Sequence, residues 1–204
     1  AHFADPSGYG RILRGSQNEV LGVVEHKDAT AEQRLIQEIN TGTYMFQSKQ
    51  LFQYLSMITP DNAQAEYYLP DVLPRMISDG YKVVGYVLED PAESMGINDR
   101  HQLAEAEAIL RDRICRFWQA RGVTIVDPRS TWIEWDCQIG QDTVIYPGCL
   151  IQKGSRIGEN CVIGPHCRLS GAEVQSGTML EYAVVVDRTV GRDERIPPFS
   201  FLVK

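Results

Sequence analysis

Apolar and polar residues alternate in two different rhythms along the chain, and the change falls at Asp127-Pro128. In the first part the spacing switches between strand-like and helix-like. Residues 19–25 (EVLGVVE), 42–46 and 82–88 read as strands. A helix is predicted over 47–58 with Leu51, Phe52, Leu55 and Ile58 on one face, and a shorter one over 68–79, where Pro74 must sit in the first turn or kink it. The longest helix is predicted over 99–121, with Asp99 and Gln102 as a capping-box pair and Leu103, Ala106, Leu110, Ile114 and Phe117 as its buried stripe. Strands interleaved with helices imply an α/β domain with a mostly parallel sheet.

After Pro128 an aliphatic residue returns every six positions, at Ile133, Ile139, Ile145, Ile151, Ile157, Ile163 and Leu169. Four residues after each of the first six stands a small or thiol-bearing residue: Cys137, Thr143, Cys149, Ser155, Cys161 and Cys167. Neither an α-helix nor simple strand alternation has this period. A parallel β-helix does, with three hexads to a triangular turn and the aliphatics stacked inside. The register slips over 170–177, which reads as a loop or irregular turn, then resumes through Leu180 and Val186 and a separate series at Val190, Ile196 and Leu202. About four turns are expected. The last is left open at Lys204, and the abrupt opening at Ala1 leads to the expectation that further chain lies beyond both ends.

Composition narrows the function. Of 204 residues, 43% are apolar and 23% charged, as in a folded soluble protein. The net charge of −7, with no basic run, argues against nucleic acid, and no stretch is apolar enough to cross a membrane. Four of the five cysteines share one repeat position and read as small packing groups, with no metal or redox spacing; reduced thiols suit a cytoplasmic compartment. His166, on the coil, lacks an orienting partner in sequence and reads as a surface or interface residue.

Five blocks in the first part carry a family resemblance: Gly8-Tyr9-Gly10-Arg11-Ile12, residues 24–30 (VEHKDAT), Glu38-Ile39-Asn40-Thr41-Gly42, residues 62–69 (NAQAEYYL) and Gly96-Ile97-Asn98-Asp99-Arg100. With the long helix and the hexads, the whole chain resembles the second half of the uridyltransferase domain, and the first turns of the β-helix, of the bacterial bifunctional N-acetylglucosamine-1-phosphate uridyltransferase/glucosamine-1-phosphate acetyltransferase. The resemblance implies a partial Rossmann-like α/β nucleotidyltransferase domain over 1–127, including the connecting helix, then a left-handed parallel β-helix of hexapeptide repeats over 131–204. It implies uridylyl transfer from UTP to N-acetylglucosamine 1-phosphate, giving UDP-N-acetylglucosamine and pyrophosphate for cell-wall polysaccharides. It also implies Mg²⁺, a homotrimer built through the β-helix, and acetyl-coenzyme A for an acetyltransferase half that this chain lacks.

Carried over by position, Gly10 would offer its backbone N–H to the sugar, Glu25 would accept from sugar hydroxyls, and Asn40 would bond the sugar or its N-acetyl group. Asn98 would lend its amide oxygen to Mg²⁺, and Lys27 is a candidate phosphate contact. No catalytic residue is assigned. Each of these residues also has a plainer reading: GYG as a turn, Glu25 as a solvated carboxylate, residues 40–42 as a turn, Asn98 as a helix cap. Tyr67 and Tyr68 are expected to pack under the site. The resemblance is incomplete: the glycine-rich nucleotide loop and the aspartate that partners Asn98 are absent, and the family has Gly where Ala65 stands. The segment is therefore expected to be inactive alone. The rivals are another sugar-1-phosphate nucleotidyltransferase, a non-catalytic trimerising module, and a hexapeptide acyltransferase.

Overall fold

A computed structural model describes all residues 1–204, in two compact units, Ala1–Gly96 and Ile97–Lys204. In the first unit, β1 (Arg11–Arg14) and β2 (Val20–Val24) pair antiparallel, Arg11 opposite Val24 and Leu13 opposite Gly22. The connection is too short for anything else, since parallel neighbours need a crossover of a dozen residues or more. The other edge of β1 is lined by residues 38–40: Ile12 N–H donates to Glu38 O (3.0 Å) and Asn40 N–H to Gly10 O (2.8 Å). Glu38 is locked there by a two-pronged pair with Arg14, Nε to Oε2 at 2.7 Å and Nη2 to Oε1 at 2.6 Å.

The unit's helices are α1 (Ala31–Arg34), α2 (Ser48–Leu55) and α3 (Val72–Ser78), the last entered through a 3₁₀ turn at Leu69–Asp71; α3 packs on β2, and α2 on α3. Thr30 and Gln33 close a capping box on α1. Pro74 falls in the first turn of α3, where its missing N–H costs nothing. Tyr54, Val72, Leu73 and Met76 form the buried centre, with Leu51, Leu55 and Ile58 packed against it. Phe52, expected on the same face, is 71% exposed.

The mostly parallel sheet expected of this unit is not what residues 1–96 form. Residues 42–46 and 82–88 enter no ladder, and Val84 and Tyr86 are exposed. An apolar β-branched run becomes a strand only where another backbone meets its N–H and C=O groups, and none does here.

The second unit opens with α4 (Arg100–Gln119). Asp99 caps it, its side chain accepting from Gln102 N–H at 2.8 Å. The reciprocal arm falls one residue early, on Asn98, whose N–H donates to Gln102 Oε1 at 2.7 Å. The buried residues are Ile114, Cys115 and Trp118, while Leu110 is 52% exposed: within this unit only the last turns of the helix rest on the coil, at Thr124–Ile125 and Trp132–Ile133. No helix is long and apolar enough to cross a membrane.

The coil is a parallel β-solenoid of fourteen short strands in three sheets, of five, five and four strands, which makes nearly five turns. One aliphatic from each strand points inward, and these side chains stack in three columns. Ile133, Ile151, Leu169, Val185 and Leu202 make one; Ile125, Ile145, Ile163, Leu180 and Ile196 another; Ile139, Ile157, Val174 and Val190 the third.

Of the two readings of the slip after Leu169, the irregular turn holds and the loop does not. Ile151 pairs with Leu169, eighteen residues on, whereas Leu169 pairs with Val185, sixteen on. The turns shorten at their corners while every strand keeps its partner. Val185, not Val186, is therefore the inward residue, and Val190, Ile196 and Leu202 continue the same columns.

From Thr131 to Ala183, the residue before each strand is small and buried. Cys149 lies under Cys167, which lies under Ala183, as the bonds Leu150 N–H to Cys167 O and Arg168 N–H to Ala183 O fix (2.8 and 2.9 Å). Where such a residue carries a hydroxyl, it finds a backbone acceptor, Thr143 to Gly158 O (2.8 Å) and Ser155 to Gln152 O (2.6 Å). All five cysteines are free thiols in the interior; burial pushes the Cys137 thiol up to about 11.

Candidate functional site

Gly10 immediately precedes β1, Glu25 immediately follows β2, and Asn40 follows the residue bridged to Arg11. Antiparallel pairing on both sides of β1 therefore brings three residues from distant stretches to one end of the same small sheet. The Glu25 carboxylate lies directly over Gly10: a Cβ built there would stand 2.9 and 3.0 Å from its two oxygens. Asn40 closes the group, with its backbone on Gly10 O and its side-chain amide donating to the Glu25 carboxylate.

Around them the chain is acidic. Burial pushes the Glu25 carboxyl above its ordinary value, the Asn40 hydrogen bond opposes this, and the charges of Asp28 and Asp71 push it further up. Burial, with Asp28, raises Asp71 in the same way. Asp28 is tied to the 62–66 turn by accepting from Ala63 N–H at 2.8 Å, and Gln64 Nε2 donates to the Tyr68 hydroxyl at 2.7 Å. Tyr68 is half-buried as expected, but Tyr67 is exposed: the 3₁₀ turn that begins at Leu69 turns it outward.

Two residues not singled out in the sequence support this end of the sheet. Arg11 is fully buried, its guanidinium donating to Tyr9 O and to Arg34 O (3.4 Å) and lying 3.3 Å from His26 Nδ1, with Nε left without a partner. In sequence it stands only as one member of the Gly8–Ile12 block. Tyr44, half-buried and stacked on Phe46 (5.6 Å), places its hydroxyl 2.8 Å from Asn40 Oδ1. The 40–42 segment is a turn as well as a site element, since Gly42 N–H donates to the same Oδ1 at 3.1 Å.

Lys27 is exposed in the turn that follows β2. Asn98 belongs to the second unit, exposed at the start of α4, so only Gly10, Glu25 and Asn40 of the four proposed residues are seen together. No group of three His, Cys, Asp or Glu side chains that could hold a metal ion is present, and a single neutral amide does not make a cage for Mg²⁺.

On the coil, His166, Tyr182 and Phe199 occupy one corner in successive turns, all with positive φ, and their rings stack at 5.7 and 5.6 Å. No acid faces His166 in this stack.

A family model described as bacterial transferase hexapeptide (six repeats) matches residues 136–171. Over 202 residues the chain is 46% identical to a protein of Halalkalibacterium halodurans and 47% to one of Brevibacillus brevis, each named bifunctional protein GlmU; the matches cover 99% of this chain and 44% of each relative. A Geobacillus thermodenitrificans protein of the same name is 48% identical over 198 residues, 97% of the chain and 43% of the relative. The chain thus spans less than half the length of the curated relatives it matches. Over essentially all of its residues this chain is similar to part of the bifunctional GlmU proteins, and within its coil to the hexapeptide transferase family.

Proposed function

We propose that residues 1–96 supply the sugar-binding side of a uridyltransferase site, at which a uridylyl group passes from UTP to N-acetylglucosamine 1-phosphate, giving UDP-N-acetylglucosamine and pyrophosphate. The observation that carries this reading is the meeting of Gly10, Glu25 and Asn40 at one end of the β1 sheet. Phosphoryl-type transfer asks little covalent chemistry of a protein and much positioning. Glu25, when ionised, is an acceptor only and suits sugar hydroxyls; Asn40 brings a donor; Gly10 keeps the floor bare so that a pyranose can approach the backbone. In the same reading the unit is part of a Rossmann-like domain whose other strands lie outside residues 1–204.

Mg²⁺ and acetyl-coenzyme A enter through the relationship alone. Asn98 would offer the metal one oxygen, Lys27 would meet a phosphate, and no step is routed through either cofactor. The coil would be left-handed and would hold three copies together in the cytoplasm; the exposed aromatic column at His166, Tyr182 and Phe199 favours such a contact.

The test is a titration of the 204-residue chain with N-acetylglucosamine 1-phosphate followed by NMR. Saturable binding is expected, weakened about tenfold or more by Glu25→Ala and by Asn40→Ala, with no turnover of UTP by this chain alone. Equal binding by the wild-type chain and both variants would remove the reading. Sedimentation that returns a monomer at all concentrations would remove the trimer.

A further inference from the structure

The place before each strand of the coil asks only for a small buried residue, and threonine, serine or alanine fills most of those places from Thr131 to Ala183. Packing alone does not call for sulfur there. Cys137 lies under Ser155, and Cys161 between Thr143 and Thr178, so neither has a thiol above or below it. Cys149 and Cys167 differ: the in-register pairing of residues 150–152 with 168–170 stacks one thiol directly on the other in successive turns.

Both sulfurs lie against one corner of the coil. Cys149 Sγ is 3.7 Å from Ile163 O and Cys167 Sγ 3.9 Å from Pro165 O, on either side of Gly164. A Cβ on Gly164 would stand 2.5 Å from Cys149 Sγ, so this sulfur reaches out of its own turn toward the turn that carries Cys167. The two Cα atoms are one strand spacing apart, about 4.8 Å, within the roughly 4.4–6.8 Å that a disulfide spans. The thiols also act on each other. Hydrogen bonding from Cys149 draws the Cys167 thiol below its ordinary value, while Cys149 itself is raised, which makes Cys167 the nucleophile of the two. The cover over both is the corner 164–166, where Pro165 is half-buried and His166 exposed. A molecule as small as hydrogen peroxide passes such a cover by local opening that shuts out bulkier thiol reagents.

We propose that Cys149 and Cys167 are a peroxide-sensitive dithiol that closes into a disulfide between successive turns of the coil. The Cys167 thiolate attacks one oxygen of a hydroperoxide; the O–O bond breaks, and the departing hydroxide takes up the proton that Cys167 released, leaving a sulfenic acid on Cys167. The Cys149 sulfur then attacks the Cys167 sulfur, the S–O bond breaks, and the hydroxyl leaves as water with the Cys149 proton. The two thiols lose two electrons, and hydrogen peroxide is reduced to two waters. In a compartment that keeps thiols reduced, a disulfide of this kind is transient and redox-sensing.

The test treats the folded 204-residue chain with hydrogen peroxide, blocks the remaining thiols with iodoacetamide in denaturant and digests with trypsin. Two of the five thiols should be lost, with a reducible link between the peptides 130–153 and 157–168 and full recovery of thiols in dithiothreitol. Those peptides also carry Cys137 and Cys161, so single variants assign the link. Cys149→Ala and Cys167→Ala should abolish it, and Cys137→Ala and Cys161→Ala should keep it. Alanine already fills the same repeat position at Ala172 and Ala183, so the fold accepts these changes. In Cys149→Ala the Cys167 sulfenic acid has no resolving thiol and should be captured by dimedone. Five thiols surviving peroxide, a link that persists in Cys149→Ala, or oxygen added to single cysteines with no link would each overturn the proposal.

Discussion

The carboxylate of Glu25 lies where a side chain on Gly10 would have to go, 2.9 Å from Oε1 to the position of a Cβ. The obstacle is the far end of a flexible side chain rather than backbone, so it can swing aside. Gly10→Ala is therefore expected to cost little in stability, on the order of 1 kcal/mol or less, while moving the acceptor on which the proposed sugar site relies. Ligand affinity should fall about tenfold or more with the thermal midpoint almost unchanged. A large drop in the midpoint would mean that Gly10 serves the fold rather than the ligand.

Two carboxylates of this unit have opposite pH behaviour. Glu25 is raised above 4.5 by burial, so its charge opposes folding: the cost is absent below 4.5 and complete above its folded value. Glu25→Gln removes that cost, and the variant should be more stable than wild type at pH 7, the advantage closing as pH falls toward 4.5. Glu38 is lowered by its hydrogen bonds to Arg14, so its contribution is complete above 4.5 and disappears as pH falls through the lowered value. Glu38→Gln should cost about 1–2 kcal/mol at pH 7 and much less in acid. Urea midpoints across this range measure both, and parallel curves for the two variants would contradict the assignment.

How much of this was readable beforehand depends on the physical source of each feature. The coil was legible because a β-solenoid writes its period into the side chains, one aliphatic per strand. After Leu169, corners that lose a residue break a fixed count of six without breaking the stack, so the count lands on Val186 while the inward residue is Val185. Gly10, Glu25 and Asn40 were found only through resemblance, since their meeting depends on strand pairing among segments that individually look like turns. Tyr44 and Arg11 carried no site signal: the first shows itself only in the bond from its hydroxyl to Asn40 Oδ1, and the second is a cation buried among carbonyls. The strands expected at 42–46 and 82–88 failed for want of neighbours, a property of the assembly and not of their own residues.

Ala65 sits at φ 53°, in the left-handed region, on the 62–66 turn that holds Asp28. An L-residue there loses roughly 1–2 kcal/mol against the right-handed region, and glycine does not, although glycine gives back about 0.5–1 kcal/mol through its freer unfolded chain. Ala65→Gly should thus raise stability by about 0.5 kcal/mol, read as a higher urea midpoint for the first unit. A decrease would show that the alanine methyl makes a contact worth more than the strain.

Gly158 presents the opposite case from Gly10. A Cβ there would stand 2.5 Å from Ser176 N and 2.8 Å from Ser176 Cα, the backbone of the next turn. That backbone cannot withdraw, because Gly158 N–H is itself bonded to Val174 O at 2.8 Å and neighbouring turns are held at one strand spacing, about 4.8 Å. The methyl would have to push two hydrogen-bonded rungs apart, with Ile157 and Val174 stacked just inside them. Gly158→Ala is expected to cost about 3 kcal/mol or to prevent the coil from closing, seen as a lower melting transition and as thiol reagents reaching the interior cysteines in native buffer. Wild-type protein should expose none of its five thiols until denatured, because all are buried. If Gly158→Ala melted with the wild type and stayed closed to thiol reagents, the spacing between these turns would have to be softer than a hydrogen-bonded ladder allows.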